Sequence, residues 1–299
     1  MTDTNNLTTD FETRHNDLTY GPDYTDNCPR IEPSGLCCWQ INLHHSQVAS
    51  VNLEAETKHL KNFIALVQEP WINRGRICGR LGNRTLHSPG KNPRVCIYTS
   101  NNIKATQLSM FSTRDLIAVR ITLNSRDIII ASAYFPHDDN APPASVEALV
   151  AHAGQTRTPI IISCDANAHH TSWGSTDVNT RGEDLLDFIS KNNLIWHNQG
   201  NMPTFVVSNR REVLDLTIAS PDTARMVRGW HVSQIPSLSV HNYIKYSLPL
   251  RSSAEKFKNW LRADWDTYTT LLEAAELTYA DDISHPGMSS TKQPRKRVK

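Results

Sequence analysis

No stretch of the 299 residues approaches the ~18 consecutive apolar side chains of a membrane-spanning helix, so neither a span nor a membrane partner is expected. The polar opening MTDTNNLTTDFETRHND has no apolar signal-peptide core. Six cysteines (Cys28, Cys37, Cys38, Cys78, Cys96, Cys164) lack the paired spacing of a metal site. Without a secretory signal they read as reduced thiols of the cytosol or nucleus. No internal repeat is visible. Acid is missing altogether from Pro70 to Arg114, where Arg74, Arg76, Arg80, Arg84, Lys91, Arg94, Lys104 and Arg114 stand. The formal charge is only +1, and removing the five Lys and Arg of Lys292–Lys299 takes it to −4. A basic stripe on a mildly acidic body points to a polyanion bound on one face; a solvated face that happens to lack acid is the alternative. The tail KQPRKRVK reads as a short nuclear-import signal or as an unstructured solubilising end.

What is present suits a globular α+β protein. Hydrophobic residues make up 38% and charged residues 20%, enough for a substantial core. Residues 1–35 are polar and acidic with three prolines, and predict disorder. LCCWQINL, FIALVQEPW, RVCIYTS, LIAVRITL and DIIIASAYF predict strands. LIAVRITL sets Val119, Ile121 and Leu123 against Ala118, Arg120 and Thr122. Ala49, Leu53, Leu60 and Phe63 predict one helix face; Val146, Leu149, Val150 and Ala153 predict a second; Leu185, Leu186 and Ile189 predict a third. TFVVSNRREVLDLTIAS predicts a hairpin, and a strand pair follows near WHVSQIPSLSVHNYIKYSL. Residues 251–280 predict an amphipathic helical extension, and 281–299 a disordered basic tail.

Polar residues gather where apolar strands finish: Asn42, Glu69, Asp165 and Asn167. Within REVLDLTIAS, Asp215 shares a strand face with Val213 and Thr217. Each has a plain reading as a turn or cap residue. A buried acid needs a partner, however, and several at strand ends beside a basic stripe point to an active site. Carboxylate and amide oxygens suit Mg²⁺ or Mn²⁺. A histidine held by a carboxylate can then act as a base. His169 and His170 near Cys164 lack the second ligand pair that zinc requires.

The ordered set QINL, VQEPW, SAYFP, CDANAHHTSWGS, VLDLTIAS and SLSVHN resembles the endonuclease–exonuclease–phosphatase superfamily. It is most similar to the apurinic-like endonuclease domain of non-long-terminal-repeat retrotransposons. The resemblance spans residues 36–250 and implies a four-layered α/β sandwich of two packed mixed β-sheets flanked by helices. It also implies divalent-metal cleavage of a phosphodiester in duplex DNA, in the nucleus, with no organic cofactor. Glu69 would bind the metal with Asn42 and Asp165 near it, Asn167 would orient phosphate or water, and Tyr134 would support the scissile phosphate. His241 would pair with Asp215 as base or electrostatic stabiliser. DNA would be contacted by Arg74, Arg76 and Arg181, and by Ser208, Asn209, Arg210 and Arg211 at a hairpin tip. The segment near NWLRADWDTYTTLL resembles what precedes a reverse transcriptase, so a detached or truncated nuclease module is expected, without polymerase. An import receptor would read Lys292 to Lys299. One departure stands out: the family usually has Asp before its last histidine, and this chain has Val240. The implied activities are therefore a weakened nuclease or a nucleic-acid-binding remnant, with a phosphomonoesterase of the same fold as a further alternative.

Overall fold

The computed structural model describes residues 35–79 and 81–250. Arg80, the N-terminal tail up to residue 34, the helical extension expected at 251–280 and the basic tail at 281–299 lie outside the described residues. Sixteen strands occur among those described, twelve of them in two six-stranded sheets. In the first sheet, β1 (Leu36–Asn42) lies parallel to β2 (Phe63–Gln68). β2 continues to β6 (Val95–Ser100) and β5 (Arg84–His87), while β1 continues on its other side to β16 (Ile244–Leu248) and β15 (Arg228–Val232). In the second, β9 (Arg126–Tyr134) lies parallel to β10 (Ile160–Asp165). Around them run β8 (Leu116–Leu123), β7 (Ala105–Gln107), β14 (Asp215–Ala219) and β11 (Ile195–Trp196). Two ribbons stand apart, β3 (Ile72–Asn73) with β4 (Arg76–Ile77), and β12 (Phe205–Val207) with β13 (Arg210–Glu212).

Period-two alternation sorts each central strand into two apolar faces. Ile64, Leu66, Ile97, Val119, Ile121, Ile128, Ile130 and Ile161 fill the space between the sheets. Each such side chain contributes about 1.5–3 kcal/mol when fully buried. The opposite faces carry helices. α1 (Gln47–Thr57) places Ala49 and Leu53 against Trp39, Ala65 and Val67 of the first sheet. α2 (Ala144–Gln155) and α3 (Thr180–Lys191) cover Ile129, Ile162 and Leu216 of the second. The four expected layers are therefore present.

Two local readings change. α1 ends at Thr57, so Leu60 lies in the following turn and Phe63 opens β2. Both still pack with Leu53, which is why they mimicked a helical face. β14 begins only at Asp215, and Val213 belongs to the helix-side core rather than to the Asp215 face.

Candidate active site

Toward one end of the molecule the layer between the sheets turns from apolar to polar. Alternation carries the inward face of β1 from Leu36 and Cys38 to Gln40 and Asn42, and that of β10 from Ile161 to Ser163 and Asp165. The buried amides are spent on cross-sheet bonds: Gln40 Nε2 donates to the Cys164 carbonyl (3.1 Å), and Gln68 Nε2 to Ser132 Oγ (3.0 Å). These bonds set one sheet against the other at the end where β1, β2, β9 and β10 all finish.

There Asn42 Nδ2 donates to Asp165 Oδ2 at 2.8 Å, joining the two sheets. Asp165 lies opposite Asp215 in the β10–β14 register and beside Tyr134 in the β9–β10 register. His241 Nδ1 pairs with Asp215 Oδ2 at 2.7 Å, and its Nε2 points to Asp165 Oδ2 at 4.0 Å. The Phe205 ring packs edge-on against the imidazole, 5.1 Å between centroids. Asn167 N donates to Asp165 Oδ1 (3.3 Å) and its Nδ2 to the Phe135 carbonyl (3.1 Å). Glu69 and Asn167 both take left-handed backbone, with φ of 45° and 44°. That conformation is ordinary for Asn but costs a Glu side chain about 1–3 kcal/mol, strain that concentrates at functional sites. Glu69 N donates to the Arg94 carbonyl (2.7 Å), and its carboxylate faces His44 Nδ1 at 3.6 Å and His45 Nε2 at 3.7 Å.

Electrostatics tie these groups together. Burial, then the Asp215 charge, push the Asp165 carboxyl up to about 7 against the opposing pull of His241 and the Asn42 hydrogen bond. Burial pulls the His241 imidazole down, but Asp215, Asp165 and Glu69 together outweigh it and raise it to about 9. Burial, then Glu69 and Asp165, push the Tyr134 phenol up to about 12, so it stays a neutral donor. Two acids and a protonated imidazole thus share a buried pocket. Asp215 Oδ1 is buried with no hydrogen-bond partner, and ligand atoms of Asp165, Asp215 and His241 lie within 4.8 Å of one another. Hard oxygens with an orphaned acceptor fit a divalent cation. Of the expected metal residues, Asp165 belongs to that cluster, Asn42 is bonded to it, and Glu69 acts on it through its charge.

The expected DNA contacts separate into free and engaged. Arg74, Arg76, Ser208, Asn209 and Arg211 are exposed. Arg181 is not available: its guanidinium donates to the carbonyls of Asn167 (2.9 Å), Ala166 (3.2 Å) and Asp139, bracing the Asn167 loop rather than projecting toward DNA. Arg210 is partly engaged, with Nη2 at 2.7 Å from His169 Nε2. His169 also bonds Asp177 (2.6 Å), and the buried Glu212 takes the Thr176 backbone N–H (3.1 Å), so this group ties the β12–β13 ribbon to the body. His170, Trp173 and Gly174 are structural. His170 caps a short turn, Trp173 is buried in the core, and Gly174 has φ 95° with a Cβ position 2.4 Å from the Gly200 carbonyl.

Sequence reasoning counted Arg94 only in the basic stripe, with no role at the site, and passed over the pair His44–His45. Arg94 forms a two-point ion pair with Asp115 (Nη2–Oδ2 2.7 Å) and lies 4.7 Å above the Tyr134 ring. The signal for the histidines was their place just after Asn42. Nothing in the stripe set Arg94 apart from its neighbours, because its partner acid stands 21 residues away.

Residues 128–245 match a family model described as endonuclease-reverse transcriptase, which takes in Tyr134, Asp165, Asn167, Asp215 and His241. Asn42 and Glu69 lie outside that match. The fold is similar to the endonuclease domain of TRAS1, a telomere-specific non-LTR retrotransposon, with TM-score 0.64 and 24% identity over 72% of this chain and 99% of that one. The chain thus has the fold of these endonucleases, with the family-model match carried by residues 128–245. An AP endonuclease from Archaeoglobus fulgidus shares the fold at TM-score 0.54 and 14% identity, over 72% of this chain and 100% of that one. The AP endonuclease LMAP from Leishmania major does so at 0.53 and 11%, over 72% and 88%. In sequence, no curated protein matches the chain. Val240, where the resemblance leads one to expect Asp, is half-buried, and its carbonyl accepts from Val206 N (2.8 Å), which anchors the β12–β13 ribbon.

Proposed function

We propose that the domain is a divalent-metal-dependent endonuclease that nicks one strand of duplex DNA. One observation carries this reading: Asn42, Asp165, Asp215 and His241 meet in a hydrogen-bonded group between the two sheets, with Glu69 held beside it in strained backbone. Glu69 and Asp165 would hold Mg²⁺ or Mn²⁺, with Asn42 fixing the Asp165 carboxylate. The bound cation would polarise the phosphoryl oxygen and offset charge in the transition state. His241, protonated at neutral pH by virtue of Asp215, stabilises negative charge on the phosphate rather than starting as a base. Asn167, bonded through its backbone N–H to Asp165 Oδ1, would orient the attacking water beside the cation. Tyr134 donates from its neutral phenol to a phosphate oxygen.

Val240 supports a second, narrower reading within the first: a nuclease of reduced rate, since the carboxylate that the family places there is missing. Nuclear import through Lys292 to Lys299 is the accompanying proposal for location. The test is nicking of supercoiled plasmid by the full chain, with Glu69→Gln and Asp165→Asn beside it. We expect nicking by the parent with Mg²⁺, none in EDTA, and at least ~100-fold less from either variant, on the scale of losing a charge in direct contact with the reaction. Equal nicking by Glu69→Gln, or nicking that survives EDTA, refutes the assignment. A parent that binds duplex without nicking it leaves only the binding remnant.

A further inference from the structure

The basic stripe is not uniformly available. Arg94 is neutralised by Asp115 and lies on Tyr134, and Arg84 spends its guanidinium on the Thr57 side chain and carbonyl beneath the Phe63 ring. Lys91 and Arg114 differ. Both are exposed, and neither has a carboxylate partner among the described residues. They stand on one cleft of about 490 Å³ whose wall also includes His45, Ile72 and Pro93.

The rim is held by two backbone hydrogen bonds and one from the Arg114 side chain. Arg94 N donates to the Arg114 carbonyl (2.7 Å) and Arg114 Nε to the Asn92 carbonyl (3.2 Å), which locks the loop before β6 to the turn before β8. Asn92, in left-handed backbone with φ 49°, donates its N–H to the Gly75 carbonyl (2.9 Å), and this brings the β3–β4 ribbon against the same rim. The cleft also shares its wall with the candidate active site. His45 reaches Glu69 Oε1 at 3.7 Å, and the Arg94 carbonyl accepts from Glu69 N.

We infer that this cleft is a subsite for one backbone phosphodiester of the nicked strand, next to the scissile phosphate on the Glu69 side, with Lys91 and Arg114 as its anion-binding groups. The inference rests on the nuclease reading above. Two uncompensated cations facing one cleft suit a single monoanionic phosphodiester, and an arginine fork matches its two free oxygens. The wall offers Ile72 and Pro93 for a deoxyribose but no Phe, Tyr or Trp ring on which a base would stack, and His45 is held by the Pro70 carbonyl (3.0 Å) and Glu69, so the contact is to backbone and independent of sequence. Occupancy would fix the strand relative to Glu69, and with it the distance of the next phosphate from the reacting groups.

The test uses the full chain and a short duplex of a sequence it nicks, with single methylphosphonate linkages placed in turn around the nick. Binding is read by anisotropy in Ca²⁺ and nicking rate in Mg²⁺, for the parent and for Lys91→Ala/Arg114→Ala. In the parent, one neutral linkage flanking the nick should weaken binding by about 10-fold, the loss of one charge-assisted contact. In the double variant the same linkage should cost less than about 2-fold, and the slope of log K against log salt should shrink by about 0.9, one phosphate. Both side chains are exposed, and although Arg114→Ala gives up the bond to the Asn92 carbonyl, the backbone bonds Arg94 N–Arg114 O and Asn92 N–Gly75 O remain, so the variant should keep the parent's circular dichroism. An unchanged linkage profile in the variant overturns the subsite while leaving the nuclease reading intact. A parent that neither binds nor nicks the duplex overturns that reading and the subsite with it.

Discussion

Replacing Asp215 by Asn keeps an acceptor for the His241 Nδ1–H and removes only a charge. In the parent that charge does most to oppose the burial that pulls the imidazole down, and the net result is a value of about 9. Without it, burial should return His241 toward its ordinary ~6.5. At pH 7.5 the ratio of protonated to neutral imidazole is about 30:1 for a group titrating at 9 and about 1:10 at 6.5. The substitution therefore costs up to about 300-fold in protonation, about 3 kcal/mol, less whatever Asp165 and Glu69 still hold. A group raised in the folded state stabilises the fold fully below its unfolded value, and that contribution is lost as pH rises through its folded value. The parent should thus be more stable than Asp215→Asn at pH 6, and the gap should close by about pH 10, above both values. NMR titration of the His241 ring in EDTA, with urea denaturation at pH 6 and pH 10, measures both quantities. An imidazole still titrating near 9 in the variant would refute the argument. So would a stability gap equal at the two pH values.

Three further expectations concern other parts of the site. Val240→Asp should raise the initial nicking rate on the order of 10-fold across a Mg²⁺ titration, the scale of a supporting group at a metal site; equal rates at every concentration would show that the domain tolerates valine there. Affinity for Mg²⁺, followed by calorimetry, should weaken as pH falls below about 7, because the cation and a proton compete for Asp165; a flat profile from pH 8 to 5.5 contradicts that site. Gly182→Ala should lower stability by at least ~3 kcal/mol. A Cβ there would stand 1.8 Å from the His169 carbonyl oxygen, and His169 cannot retreat without breaking its backbone N–H bond to Asn179 Oδ1, the atom that also caps α3 at Gly182 N. An unchanged melting temperature would show that the contact can be relieved.

Most of the architecture was legible in the chain because alternation and helical spacing are local properties. LIAVRITL announced the inward face of β8 through Val119, Ile121 and Leu123, and those residues do fill the layer between the sheets. Asn42, Glu69, Asp165, Asn167, Asp215 and His241 were legible as well, since each interrupts an apolar pattern at a strand end or belongs to an ordered set of motifs. The false extension of the first helix to Leu60 and Phe63 arose because residues in a turn and a strand can contact the same core as a helix face.

Fate of charge was the part that only tertiary structure decided. Nothing local distinguishes Arg94, paired across 21 residues with Asp115, from Arg114, which has no acid partner among the described residues. Arg181 reads as an exposed helical cation until the fold brings three backbone carbonyls to its guanidinium. The protonation of His241 and Asp165 likewise depends on bringing β10, β14 and the segment before β16 within a few ångströms of each other in a buried place. A side chain's identity and its neighbours along the chain set its periodicity and turn preference. Its charge state and its partner depend on distance and dielectric, which residues far apart in sequence create only when the sheets pack.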